Sequence, residues 1–236
     1  MLKTALFLLL IGSLTSLFGA SCTSDTIQDY SADFGNAATN CSIGILLYNN
    51  FSFSGVPAGA TLTLSPNADL GFNFTLTAAN GSPYQATTDT TFSVIYEFTI
   101  DPAPILSGSG LKIDPSGDVT ISQVFCLDSN PTAGFSGCLA IGAPVSPQTL
   151  SVESTGGQNA SNSITFNPPA TSFGWVETTF NLDPDGSPYA SFESVDSTPD
   201  VTVGGLQIVI PEPVSVALMG LGLIALAGAK LKRRQH

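Results

Sequence analysis

The sequence predicts an all-β chain: a β-sandwich, jelly-roll-like, with a short N-terminal helix before it and a single transmembrane helix at the C-terminus. Three observations predict this. Apolar and polar residues alternate at period two through the middle of the chain, most clearly at Phe92, Val94, Tyr96, Phe98 and Ile100 of "TFSVIYEFTI", which is the pattern of a strand with one buried face. Clusters of Gly, Pro, Asn and Asp punctuate these runs, as turns between many short strands require. Finally, both ends carry uncharged apolar stretches unlike the middle.

The elements follow in order. Residues 1–21 read as a secretory signal peptide: one lysine at position 3, an apolar stretch from Ala5 to Ile11, and small residues at Gly19, Ala20 and Ser21 before a cleavage point at or near Cys22. A retained anchor is one alternative. A lipoprotein signal is another, although it prefers a leucine-like residue where this chain has Gly19. Residues 22–210 form the outer domain. Thr26 to Phe34 reads as a short helix, with Thr26 as its cap, Asp29 three positions on, and Ile27, Tyr30 and Phe34 on one face. Strand patterns then follow in "GFNFTLT", "TFSVIYEFTI", "GDVTISQVF", "QTLSVE", "SITF", "GWVETTFNL" and "VTVGGLQIVI", while "SVDSTPDVTVGG" (194–205) reads as a segment leading out of the sandwich. One fragment recurs: "FTLTAANGSPY" and "FNLDPDGSPY" each run from strand through Asn-Gly or Asp-Gly into Ser-Pro-Tyr, as two similar turns would.

Composition narrows the function. Only 10% of residues are charged but 43% are hydrophobic, so the chain has the apolar surface for a packed core. Between Cys22 and Ile210 stand one cation, Lys112, and seventeen acids, a net charge of −16. Such a domain repels nucleic acid and anionic headgroups. It attracts cations or basic polymers, or is simply kept soluble by its charge.

Four cysteines suit an oxidising, exported setting. Of their three pairings the simplest joins sequence neighbours, Cys22 with Cys41 and Cys126 with Cys138. A cysteine metal site is the rival, against which stand the missing CxxC and the absence of histidine from the outer domain.

The only histidine, His236, is the last residue, which excludes Ser-His-Asp, Cys-His and histidine-zinc chemistry from the domain. Lys112, in "GLKIDPSGD", reads as an exposed strand end. Paired carboxylates remain, since a glycosidase needs two acids about 5–10 Å apart. Glu97 and Glu177 both lie in strands, yet their parity places them opposite the apolar face, as solvated residues. Trp175 shares the face of Glu177, so the pair offers a glycan platform, against the plainer reading of a structural tryptophan. Asn181, Asp183 and Asp185 open a calcium-loop spacing that fails at its twelfth position, Phe192. Ordinary Asx-turns account for the same residues. The expectation is a non-enzymatic chain with no cofactor, calcium being the one candidate.

Residues 211–236 explain the remaining cations. Val214 to Ala229 is free of charge and spans about 24 Å as a helix, short for a hydrocarbon core of about 30 Å but workable. Lys230, Lys232, Arg233 and Arg234 follow it, a basic stop that keeps the tail cytoplasmic and the domain outside. Pro211-Glu212-Pro213, the apolar run and the basic cluster, in that order, resemble the PEP-CTERM sorting signal of bacterial exosortase substrates. "TIQDYSADFGNAATNCSIGILLYNNFSFSG" is similar to a segment of uncharacterised members of that group. The resemblance implies export, transient membrane arrest, cleavage near the triplet by exosortase, and a place at the cell surface or in an extracellular matrix rich in polysaccharide.

Overall fold

The computed structural model describes residues 20–100, 105–140, 143–185, 187–203 and 206–207. The expected leader as far as Gly19, and the Pro211–Pro213 triplet, the Val214–Ala229 span and the basic stop, lie outside the described residues.

Two sheets share one core, as an all-β sandwich requires. The first runs β1 (Ala20–Ser21), β3 (Cys41–Ile43), β4 (Leu46–Ser54), β7 (Thr90–Ile100), β15 (Phe173–Asp183), β9 (Asp118–Leu127) and β13 (Gln148–Ser154). The second runs β14 (Ala160–Ala170), β8 (Ile105–Ser116), β16 (Ser191–Val203), β6 (Phe72–Ala78), β5 (Ala60–Pro66) and β2 (Asp25–Thr26). A small sheet of β10 (Asn130–Pro131), β11 (Cys138–Ala140) and β12 (Ala143–Val145) stands beside them. From β13 onward the long strands alternate between the two large sheets. Ala20 and Ser21, expected in the leader, pair in parallel with Cys41 and Ser42.

The period-two runs set the faces. Phe92, Val94, Tyr96 and Phe98 of β7 and Val176, Phe180 and Leu182 of β15 are buried, and they meet Phe72, Phe74, Phe192 and Val195 of the second sheet in a single cluster. Phe180 is its centre. Its ring stacks on Phe92 at 4.6 Å and on Phe192 at 5.5 Å, with Phe74 edge-on at 5.4 Å. The helix α1 spans Ile27–Phe34 and is capped as expected, Asp29 N–H donating to the Thr26 hydroxyl. Its Tyr30 packs on Phe51 and Phe72.

Two expectations need correcting. "SVDSTPDVTVGG" does not lead out of the sandwich: residues 191–203 form β16, between β8 and β6. The obstacle to reading it as a strand is Pro199, which lacks a ladder donor. Pairing to β6 ends at Ser197, and among the described residues Pro199 lies opposite Ser109 of β8 alone, the edge-like setting in which proline is tolerated. Lys112 is not at a strand end either, since β8 continues to Ser116.

The recurring Ser-Pro-Tyr segments meet. Just beyond them Ala86 and Ala190 exchange backbone hydrogen bonds of 2.8 and 2.9 Å, an isolated antiparallel bridge between the two copies.

Asp128, just past β9, ties the start of β15 in place. Its carboxylate accepts from the N–H groups of Thr171, Ser172 and Phe173 and from the Thr171 hydroxyl. Partial burial alone would raise its pKa, but these four donors outweigh burial and hold it below the ordinary 3.8. A depressed pKa means that the stabilisation is complete above the unfolded-state value and is lost as pH falls through the folded one. Asp128→Ala is therefore expected to cost about 1–2 kcal/mol at neutral pH. The difference from wild type, followed by urea midpoint, should shrink below about pH 4.

Candidate functional site

Register brings together the residues that the sequence marked on the first sheet. Trp175 lies opposite Glu97 on one side and Cys126 on the other, and Glu177, two residues along, lies opposite Ile95 and Val124. Glu97 and Glu177 are thus diagonal neighbours on the outward face.

The disulfide Cys126–Cys138 formed as its spacing suggested, and its loop folds back over this face. Phe135, in the turn Ala133–Phe135, packs with the disulfide against Ile95, Val124 and Trp175. Trp175 is half-buried there, its indole Nε1 without a hydrogen-bond partner among the described residues. Here it is a packing residue beneath the loop. Glu97 accepts from Asn50 Nδ2 at 2.5 Å. Burial raises the Glu177 pKa above its ordinary 4.5, opposed by a hydrogen bond from Ser93, whose hydroxyl also meets Ser54 at 3.0 Å. The two carboxylates are neighbours, but each is tied into the sheet, and the aromatic beside them faces protein.

The turn considered for calcium is also engaged. Asn181 Oδ1 accepts from the Thr91 hydroxyl at 2.9 Å, and Asp183 Oδ1 accepts from the Asp185 N–H at 2.9 Å, an Asx-turn. Among the described residues no group of three or more His, Cys, Asp or Glu side chains is placed to hold a metal ion.

The second sheet offers a different arrangement on its outward face. Across β14, β8 and β16 one row reads Ser161, Lys112, Asp196, and the next reads Ser163, Gly110, Thr198. Gly110 leaves the floor open, since a Cβ there would lie 2.7 Å from Thr198 Oγ1. Asp69 closes one side from the turn 67–71, and the result is an open groove of about 620 Å³.

That turn is fixed from three directions. Asn67 Oδ1 accepts from the N–H groups of Asp69 and Gly71, and Asn67 Nδ2 donates to Ser197 O at 3.0 Å. Leu70 holds a φ of 70° while its carbonyl accepts from the buried Tyr48 hydroxyl. Gly71 lies so close to β16 that a Cβ would fall 1.8 Å from Ser197 O. By contrast, five of the groups lining the groove are free, whereas the Asn162 amide and the Thr198 hydroxyl bond to backbone. The carboxylates of Asp69 and Asp196, the Lys112 ammonium and the hydroxyls of Ser161 and Ser163 have no side-chain hydrogen bond or ion pair among the described residues. The sequence signal was the spacing Gly108, Gly110, Lys112, which bares one face of β8. Without the register of β14 and β16 it has no partner.

No protein-family model matches the chain, and no curated protein matches it. Among solved structures it is similar to TmCBM61, determined in complex with beta-1,4-galactotriose, at TM-score 0.37 and 10% identity over 64% of this chain and 88% of that one. It is also similar to the enzymatically active domain of tailspike protein 4 of bacteriophage CBA120, at TM-score 0.30 and 11% identity over 64% of this chain and 19% of that one. Both alignments are too loose to carry a ligand across.

Proposed function

We propose that this is an exported, non-catalytic surface or matrix protein, arrested by its apolar tail until an exosortase-class enzyme cleaves near Pro211–Glu212–Pro213. The observation that carries the reading is the pair of closed disulfides, Cys22–Cys41 and Cys126–Cys138, with no free cysteine among the described residues. Such bridges persist in oxidising compartments. The ties on Glu97 and Glu177 and the lack of histidine between residues 22 and 210 support a non-catalytic role. The alternation of strands between sheets supports a jelly-roll-like winding. A second reading, a glycan-binding module, is favoured by the groove, where the side chains of Asp69, Lys112, Asp196, Ser161 and Ser163 have no partner among the described residues.

The intact mass of the unreduced protein, taken from the cells that make it, tests the first reading. The expected product starts near Cys22, ends near Pro211 and is lighter than its reduced form by four hydrogens, two for each disulfide. A full-length tail would leave a plain single-span membrane protein and remove the sorting reading.

A further inference from the structure

We propose that the groove on the outward face of the second sheet binds a neutral polyhydroxylated chain, a segment of polysaccharide, through Asp69, Lys112, Asp196, Ser161 and Ser163. This names the site and ligand class of the glycan-binding reading and does not depend on how the tail is processed.

The chemistry of the lining selects the ligand. Sugar hydroxyls both donate and accept, so they need both kinds of partner. Here the two carboxylates accept, the ammonium donates, and the two serine hydroxyls do either. Inside one groove these groups have not satisfied one another: Lys112 faces Asp196 across the strand pair without forming an ion pair among the described residues. In water their partners are solvent, which a ligand carrying the same hydrogen-bonding capacity replaces at little loss.

Placement adds to the case. Four of the five groups stand on the paired strands β14, β8 and β16. The fifth, Asp69, stands on a turn held by Asn67, Tyr48 and a glycine that admits no side chain. A left-handed leucine within a turn pinned at several points marks a segment whose conformation is imposed, as at binding sites. The backbone that carries these groups is fixed before binding, so the freedom lost on binding is that of the side chains alone. Crossing three strands, the row extends about 10 Å, which suits a ligand longer than a single sugar ring.

Other ligand classes fit worse. One ammonium beside two carboxylates, in a domain of charge −16, repels phosphate chains and acidic glycans. A metal ion would find two carboxylates with a lysine beside them and no third acidic ligand among the described residues.

The test uses the full chain, kept in a detergent without sugar headgroups, in native gels cast with dextran, mannan, xylan or mixed-linkage β-glucan. At least one polysaccharide is expected to retard it. Asp69→Ala and Lys112→Ala, whose side chains bind nothing else among the described residues, should each weaken the retardation about tenfold, the loss of one charge-assisted hydrogen bond. Both should leave Tm unchanged, and Glu153→Gln on the exposed face of the first sheet should bind as wild type. Two results would overturn the proposal: no retardation by any of the four, or retardation that survives both groove substitutions. The mass measurement reads export and processing, so either proposal can fail without the other.

Discussion

Phe180→Ala is expected to destabilise the sandwich by about 3–5 kcal/mol, the range for deleting a fully buried ring. Phe180 is 0% exposed and joins the sheets: Phe92 belongs to its own sheet, while Phe74 and Phe192 belong to the other. Truncation removes its transfer free energy and opens a cavity lined by three rings. Strands on both sides limit how far that cavity can close. At roughly 2–4 °C per kcal/mol for a domain of this size, Tm should fall by roughly 6–20 °C. In urea the midpoint should move while the slope is kept, since the native surface is little altered. Phe180→Leu, which retains much of the volume, should recover more than half of the loss. A drop under about 1 kcal/mol for the alanine variant would mean that the sheets close over the gap and that the stack is not the centre of the core.

The second large effect concerns the loop over the first sheet. Replacing Cys126 and Cys138 together by serine releases a link of sequence separation 12, worth about 2–3 kcal/mol in chain entropy. It also frees Phe135 from its place against Ile95, Val124 and Trp175. Trp175 is the only tryptophan, so its fluorescence reports this site alone. Emission should shift to the red as the indole meets water, while the far-ultraviolet circular dichroism of the sheets stays as it was. Unchanged emission would mean that the loop holds its position through packing alone, and that the disulfide acts only on the unfolded chain.

Much of this architecture was readable beforehand because it rests on local rules. The alternation in β7 and β15 fixed which residues face the core, since a strand reverses its side chains at every step. Thr26 and Asp29 marked the start of α1 because capping needs only residues three apart. The cysteines paired with their sequence neighbours. β16 is not legible locally because Pro199 breaks the strand signal, and the tolerance of that proline depends on where β6 stops. β8 was hard to see because "SGSG" supplies little of the apolar alternation that identifies strands. Gln123 shows the same limit from the other side. Its parity with Ile121 and Phe125 turns it inward, but nothing local says that Thr178 and Ser197 will receive its amide at 3.1 and 2.9 Å.

The candidate sites divide in the same way. Glu97, Trp175 and Glu177 were marked by type and parity and do share a face, but the loop over Trp175 comes from a separate part of the chain. The groove needed three strands in register and a turn some forty residues before β8. Residue types alone offered a lone lysine and scattered aspartates, and only pairing gathers them.

The place of β16 also has a mechanical consequence. Tension on the chain beyond Val203 first meets the short strand β17 (Leu206–Gln207), which pairs with β16, and then enters β16 itself, which lies antiparallel to β8 from Ser191 to Thr202. Ladder hydrogen bonds run across the strands, so a pull along the axis strains them together in shear and cannot open them one at a time like a zip. The groove sits on the same pair, with Lys112 on β8 and Asp196 on β16. A force between a polymer held there and the chain beyond Val203 would pass through these two neighbouring strands, of which β16 also carries Phe192 of the aromatic stack.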